Sequence, residues 1–183
     1  MLKQNKFILV GLLVIVLLVS ATTFYIRYER SNEISEETQR LFAGEADGVT
    51  YTDTVGNPVG LEQYLGKVLI VTSWASWSPF TTTDLTQLND LMIKYDRSKV
   101  VALGINRMET RDQAQRYMTT MPEFTNIVLV IDTADHFYKS VGGYAMPETL
   151  VFNQKGEVIE HIRGTIVKDN LEVLVDSLLE QEN

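Results

Sequence analysis

Ser78, Thr81 and Asp84 place two hydroxyls and a carboxylate within SWASWSPFTTTDL, residues 73–85, where an apolar run gives way to a helical pattern. A hydroxyl nucleophile needs a base within hydrogen-bond reach, and the chain's two histidines are His136, in a short helical stretch, and His161, on a strand alternating Glu157, Ile159, His161 and Arg163. Both read as surface or partly buried structural residues. No Gly-X-Ser-X-Gly turn exists, so a non-redox enzyme working through Ser78 is the reading these residues support least. Thiol chemistry is closed to them, because the chain has no cysteine. Disulfides, thiolate nucleophiles, Cys-ligated zinc and iron–sulfur clusters all require one. With no histidine cluster and no glycine-rich phosphate loop, no metal and no cofactor is expected. The plain structural account is that Ser78 caps a helix, Pro79 takes its first position and Asp84 lies near its positive end.

The elements that must position this stretch are readable from pattern. VLIVTSW, residues 68–74, is a continuous apolar and β-branched run, as in a strand buried on both faces. Leu85, Leu88, Leu91, Met92 and Tyr95 recur at helical spacing and predict a helix over 79–95. KVVALGI, residues 99–105, supplies a second buried strand, completing a β-α-β unit. A helix over 110–118, a strand over 127–131 and a short helix over 134–141, ending at Gly142-Gly143, follow. The pattern then changes to a hairpin, with strands at 148–152 and 157–163 around the turn Asn153–Gly156. Leu171, Leu174, Val175, Leu178 and Leu179 mark a closing helix. Ahead of all this, residues 48–65 read as a short strand, a Gly56-Asn57-Pro58 turn and a helical turn.

The chain's 183 residues suit one domain. Its formal charge is −8; setting aside residues 1–30, with four basic residues and one acidic, leaves 12 basic against 23 acidic, a net −11. Nucleic acid is not an expected partner of so acidic a surface. Residues 7–26 form a charge-free apolar run of 20, about the length of a membrane-crossing helix. Lys3 and Lys6 precede it and favour an N-terminus-inside orientation. The expected organisation is a cytoplasmic segment 1–6, a transmembrane signal-anchor 7–26, an acidic tether 27–47 and a domain 48–183 on the extracytoplasmic or periplasmic side of the cell inner membrane. The alternative is cleavage after Ala21 and release to the periplasm.

Gly66-Lys67-Val68-Leu69-Ile70-Val71, Trp74-Ala75-Ser76-Trp77 and, later, Met146-Pro147-Glu148-Thr149 with its Asn153–Gly156 turn carry a resemblance. In order and spacing they resemble the thioredoxin-like superfamily, in particular membrane-anchored redoxins of the TlpA and ResA type (AhpC/TSA-like), some of which act in cytochrome c maturation. The resemblance implies an α/β thioredoxin-like fold, a central mixed sheet flanked by helices. It places Ser78 and Thr81 at the family's two active-site cysteines, Asp84 at its acidic residue and Pro147 at its cis-proline. In such proteins the backbone beside that proline pairs with an extended peptide. Trp77, Phe80, Tyr144, Met146, Pro147 and Glu148 are therefore the candidate binding groove, with Trp74 expected in the core. The expected function is that of a redox-inactive relative binding a protein or peptide. The alternative is a non-catalytic accessory of a thiol-disulfide oxidoreductase or cytochrome c maturation system.

Overall fold

The computed structural model describes residues 15–26, 29, 36, 42 and 51–180. The chain divides into two units, residues 1–36 and 37–183. In the first, residues 15–26 are helical with exposed apolar side chains, and the Thr23 hydroxyl donates to the Val19 carbonyl at 2.7 Å. No helix among the described residues is long and apolar enough to cross a membrane. The expected segment 1–6, the start of the expected span 7–26 and most of the expected tether 27–47 lie outside the described residues.

The second unit is built on one seven-stranded mixed sheet. Its strands are β1 (Tyr51–Asp53), β2 (Pro58–Val59), β3 (Val68–Trp74), β4 (Val100–Arg107), β5 (Val128–Asp132), β6 (Glu148–Phe152) and β7 (Val158–Arg163), in spatial order β2-β1-β5-β4-β3-β6-β7. Every residue of β3 is buried. A strand without a polar face must be covered on both sides, and β3 lies inside the sheet, parallel to β4 and antiparallel to β6.

Alternation along the strands separates two cores. On one face Val68, Ile70, Trp74, Val100, Ala102 and Val151 pack against the helices α1 (Thr81–Met92) and α4 (Lys168–Glu180), through Leu85, Leu88, Leu91, Leu171 and Val175. Ala114 of α2 (Arg111–Met118) joins that face. On the other, Leu69, Val71, Leu103, Ile105, Leu150 and Phe152 meet Leu61 of a 3-10 turn, Leu61–Tyr64, and Phe137 of the short helix α3 (His136–Ser140). Phe42, within the stretch read as a tether, is 5% exposed and meets the Phe152 ring edge-on at 5.1 Å between centroids.

Two devices fix the turns around the sheet. At the β6–β7 turn the Asn153 Oδ1 accepts the Lys155 and Glu157 amides at 3.0 Å each. Gly156 follows with φ +80, where a Cβ would also stand 3.2 Å from the Phe42 ring. Thr110 caps α2, its hydroxyl accepting the Gln113 amide at 3.3 Å, as an N-cap threonine does.

The expected helix over 79–95 is shorter than its apolar pattern, running Thr81–Met92. Its N-cap is Phe80, in αR geometry and without a side-chain cap bond, so Ser78 does not cap it and Pro79 is not its first residue. The Ala75 carbonyl explains this. It accepts both the Ser78 amide at 3.1 Å and the Thr81 hydroxyl at 2.8 Å, drawing the intervening residues into a turn before the helix begins.

Candidate binding site

The strand registers bring the candidate residues to one end of the sheet. Ser73 of β3 stands opposite Ile105 of β4 and Glu148 of β6, and Glu148 stands opposite Arg163 of β7. Beyond this row lie the β3–α1 turn with Trp77, Ser78 and Phe80, the β4–α2 loop with Met108 and Glu109, and the α3–β6 loop with Tyr144, Met146 and Pro147. The Met146–Pro147 bond is cis, as the resemblance implies.

Exposure sorts the candidates. Trp77, Phe80 and Tyr144 are 59%, 48% and 72% exposed, Met146 is half-buried and Pro147 is buried. Trp74 is fully buried, its indole N–H donating to the Gly104 carbonyl at 3.0 Å and its ring stacked on Tyr117. No hydrogen bond among the described residues reaches the Met146 amide or carbonyl, while the Pro147 carbonyl accepts the Gly164 amide at 2.9 Å. The exposed aromatic rings thus stand on loops at the same end of the sheet as Met146, whose amide and carbonyl are unpaired among the described residues.

Glu148, expected among the groove residues, is buried beneath the exposed candidates. Its side chain is fully buried; Oε1 accepts the Tyr144 and Ala145 amides at 2.9 and 2.8 Å, and Oε2 meets the His161 ring at 2.9 Å. Burial pushes this carboxyl up, but the His161 ring and the two amides outweigh it and hold it below the usual glutamate value. The carboxylate therefore ties the groove loop to the hairpin. Tyr138 adds a second tie, its hydroxyl donating to the Ala145 carbonyl at 2.8 Å while the Arg107 guanidinium lies 3.4 Å over its ring.

Ser78 and Thr81 are both buried, at 2% and 1% exposure. The Thr81 hydroxyl is spent on Ala75, and the Ser78 hydroxyl has no partner among the described residues. Neither histidine stands in hydrogen-bond contact with Ser78. Asp84 corrects the expectation of a simple contact with the helix end: it occupies the first turn of α1 but is fully buried. Burial pushes its carboxyl up to about 6, opposed only by the Ile166 amide, which donates to Oδ2 at 3.3 Å; Oδ1 is unpartnered. Among the described residues no group of three or more His, Asp and Glu could hold a metal ion.

Sequence reasoning missed Glu109. Its 2%-exposed carboxylate accepts the Ser76 amide at 3.0 Å, the Ser76 hydroxyl, the Asn106 side-chain amide at 2.6 Å and the Gln113 side-chain amide at 3.0 Å. It clamps the Trp-Ala-Ser-Trp turn from the neighbouring loop. The available signal was its place between the end of a buried strand and the capping Thr110, at the carboxyl end of parallel strands where sites collect.

The AhpC/TSA family matches residues 43–161 of the chain. Among curated proteins the chain is similar to the thiol-disulfide oxidoreductase ResA of Geobacillus kaustophilus, 26% identical over 180 residues, covering 96% of this chain and 98% of that protein. It is also similar to the thiol:disulfide interchange protein HelX of Rhodobacter capsulatus, 29% identical over 115 residues, covering 62% of each. Among solved structures it is similar to the exposed lipoprotein thioredoxin of Streptococcus pneumoniae (TM-score 0.62, 16% identity, 72% of this chain and 98% of that one). A secreted disulfide oxidoreductase of Mycobacterium tuberculosis is similar too (TM-score 0.60, 17% identity, 70% of this chain and 95% of that one). The fold is thioredoxin-like.

Proposed function

The chain belongs to the AhpC/TSA family, and from that membership we propose a redox-inactive, membrane-anchored member that works by binding a protein or peptide at the groove beside Pro147. The observation that carries this reading is the exposure of Trp77, Phe80 and Tyr144 around the unpaired Met146 backbone, where an extended segment can add as a strand. Redox inactivity follows from chemistry. Thiol-disulfide exchange needs an attacking thiolate and a second sulfur, and a chain without cysteine supplies neither. The buried hydroxyls of Ser78 and Thr81 stand at the positions that match the family's cysteines; that of Thr81 holds the turn through the Ala75 carbonyl, and that of Ser78 has no partner among the described residues.

Anchoring is supported by the apolar run 7–26, and the lysines before it favour a domain outside the cytoplasm. A second reading keeps the same groove and makes its occupant a cysteine-bearing oxidoreductase or a cytochrome c maturation protein. It is favoured by the names of the relatives, which are thiol-disulfide proteins.

The test is photo-crosslinking in the native membrane from position 77 or 80, with position 93 as control, since Ile93 is 68% exposed just past the carboxyl end of α1. A discrete adduct from 77 and 80 but not 93 is expected, and its identity separates the two readings. Equal labelling from all three positions would refute the groove.

A further inference from the structure

Across the row Ile105, Ser73, Glu148 and Arg163, the strands β4, β3, β6 and β7 run side by side to the same end of the sheet. The groove described above uses the middle two. Each outer strand brings one further side chain to that end.

On the β4 side that side chain is Met108. It is 62% exposed and has φ 58, a left-handed backbone in which the Cβ of a bulky residue crowds the following carbonyl. The surroundings over-determine this conformation. Arg107 forks onto Asp135 at 2.9 and 2.6 Å, the Met108 amide donates to the Asp132 carbonyl at 3.1 Å, and Glu109 is held by Ser76, Asn106 and Gln113. An ion pair on one side and a buried carboxylate on the other thus hold Met108 at the surface beside the Trp77 turn, its sulfur accepting from the Arg107 Nη2 at 3.6 Å. Strain of this kind collects where a side chain must be displayed.

On the β7 side it is Arg163. Its side chain is 34% exposed, its guanidinium lies 4.9 Å over the Tyr144 ring, and its Nε is 3.9 Å from a Glu148 carboxylate already taken by His161 and two amides. No hydrogen bond among the described residues uses its N–H groups. It is a cation with free donors at the groove's edge, in a chain whose residues beyond 30 carry a net −11.

The distance between the two fixes what can lie across them. From Ile105 to Arg163 the row spans three interstrand spacings of about 4.8 Å, about 14 Å, and Met108 stands three residues beyond Ile105, so the two side chains are separated by the reach of about four or five residues of extended chain at ~3.3 Å each. We propose that the rim from Met108 through Trp77 and Tyr144 to Arg163 is a site for an extended peptide bearing one acidic side chain about four or five residues from a bulky apolar one. The acid meets Arg163, the apolar side chain meets Met108, and the residues between lie on Trp77 and Tyr144. A segment acidic throughout would be repelled by the domain's own charge; a single acid among uncharged residues is not. This rests on the peptide-binding reading above and adds the composition of the occupant and the spacing of its anchors.

The experiment pans a random heptapeptide phage library on the full chain purified in mild detergent, then measures binding of the enriched peptides to Arg163→Glu and Met108→Gly. The expected consensus is Asp or Glu with Leu, Ile, Met or Phe about four or five positions away. Arg163→Glu should weaken these peptides about fivefold or more and shift the selected residue to Lys or Arg. Glycine accepts positive φ freely, so Met108→Gly should melt at or above the wild-type temperature while losing about fivefold in affinity and its preference for an apolar end. A consensus without the acid, or peptides indifferent to both variants, would overturn this inference and leave peptide binding standing. A library with no enrichment would overturn both.

Discussion

Replacing Asp84 by Asn should stabilise the domain above pH 6 and change it little near pH 4. In the unfolded chain the carboxyl ionises around 3.8, and in the fold burial holds its proton to about 6. Between these values the native state binds the extra proton, so wild-type stability declines as pH rises and levels off once both states are ionised. Two units at 1.36 kcal/mol each give ~3 kcal/mol carried against folding above pH 7. Asp84 is fully buried, so solvent screening does not discount this figure. Asparagine keeps an oxygen for the Ile166 amide and has no charge to bury. Urea unfolding of both proteins from pH 4 to 8, read as the difference between them, removes the contribution of other carboxylates such as Glu148. That difference should grow by about 2–3 kcal/mol toward pH 8. A difference constant across the range would show that Asp84 titrates alike in both states and would refute the burial argument.

Other perturbations test the site piece by piece. Glu109→Ala should cost about 2–4 kcal/mol in urea unfolding, because it strands the buried Asn106 donor and the half-buried Ser76 donors; a cost below ~0.5 kcal/mol would mean the clamp holds nothing. Tyr138→Phe removes the hydroxyl from the Ala145 carbonyl and should cost about 1 kcal/mol, with faster amide exchange confined to residues 142–147. Phe42→Ala should cost about 3–5 kcal/mol, and a neutral result would detach that ring from the core. Ser78→Cys with Thr81→Cys should give a chain that loses free thiols on oxidation and reduces a model disulfide substrate that the natural chain leaves intact. Failure to form the bond would show that the turn has drifted from its redox geometry.

The sheet was legible because its strands say so locally: Val68–Trp74 has no polar face, and Asn153–Gly156 is a turn by composition alone. The matched positions Ser78, Thr81, Asp84 and Pro147 followed from order and spacing along the chain. What could not be read is the polar wiring between segments distant in sequence. Glu109 to Ser76 and Glu148 to His161 are buried carboxylate contacts that depend on strand neighbours, and a glutamate in a loop looks solvated until its neighbours are known. The helix start failed for a related reason. Ser-Pro is a good local start signal, but the Ala75 carbonyl competes for the same residues through Thr81.

Phe42 gives the domain a mechanical polarity. Its ring rests on Phe152 and over Gly156, at the hairpin end of β6, whereas Glu148 and the cis Met146–Pro147 bond are at the other end of the same strand. Loss of that ring therefore loosens the hairpin end of β6 and leaves the contacts of Glu148, a strand's length away, in place.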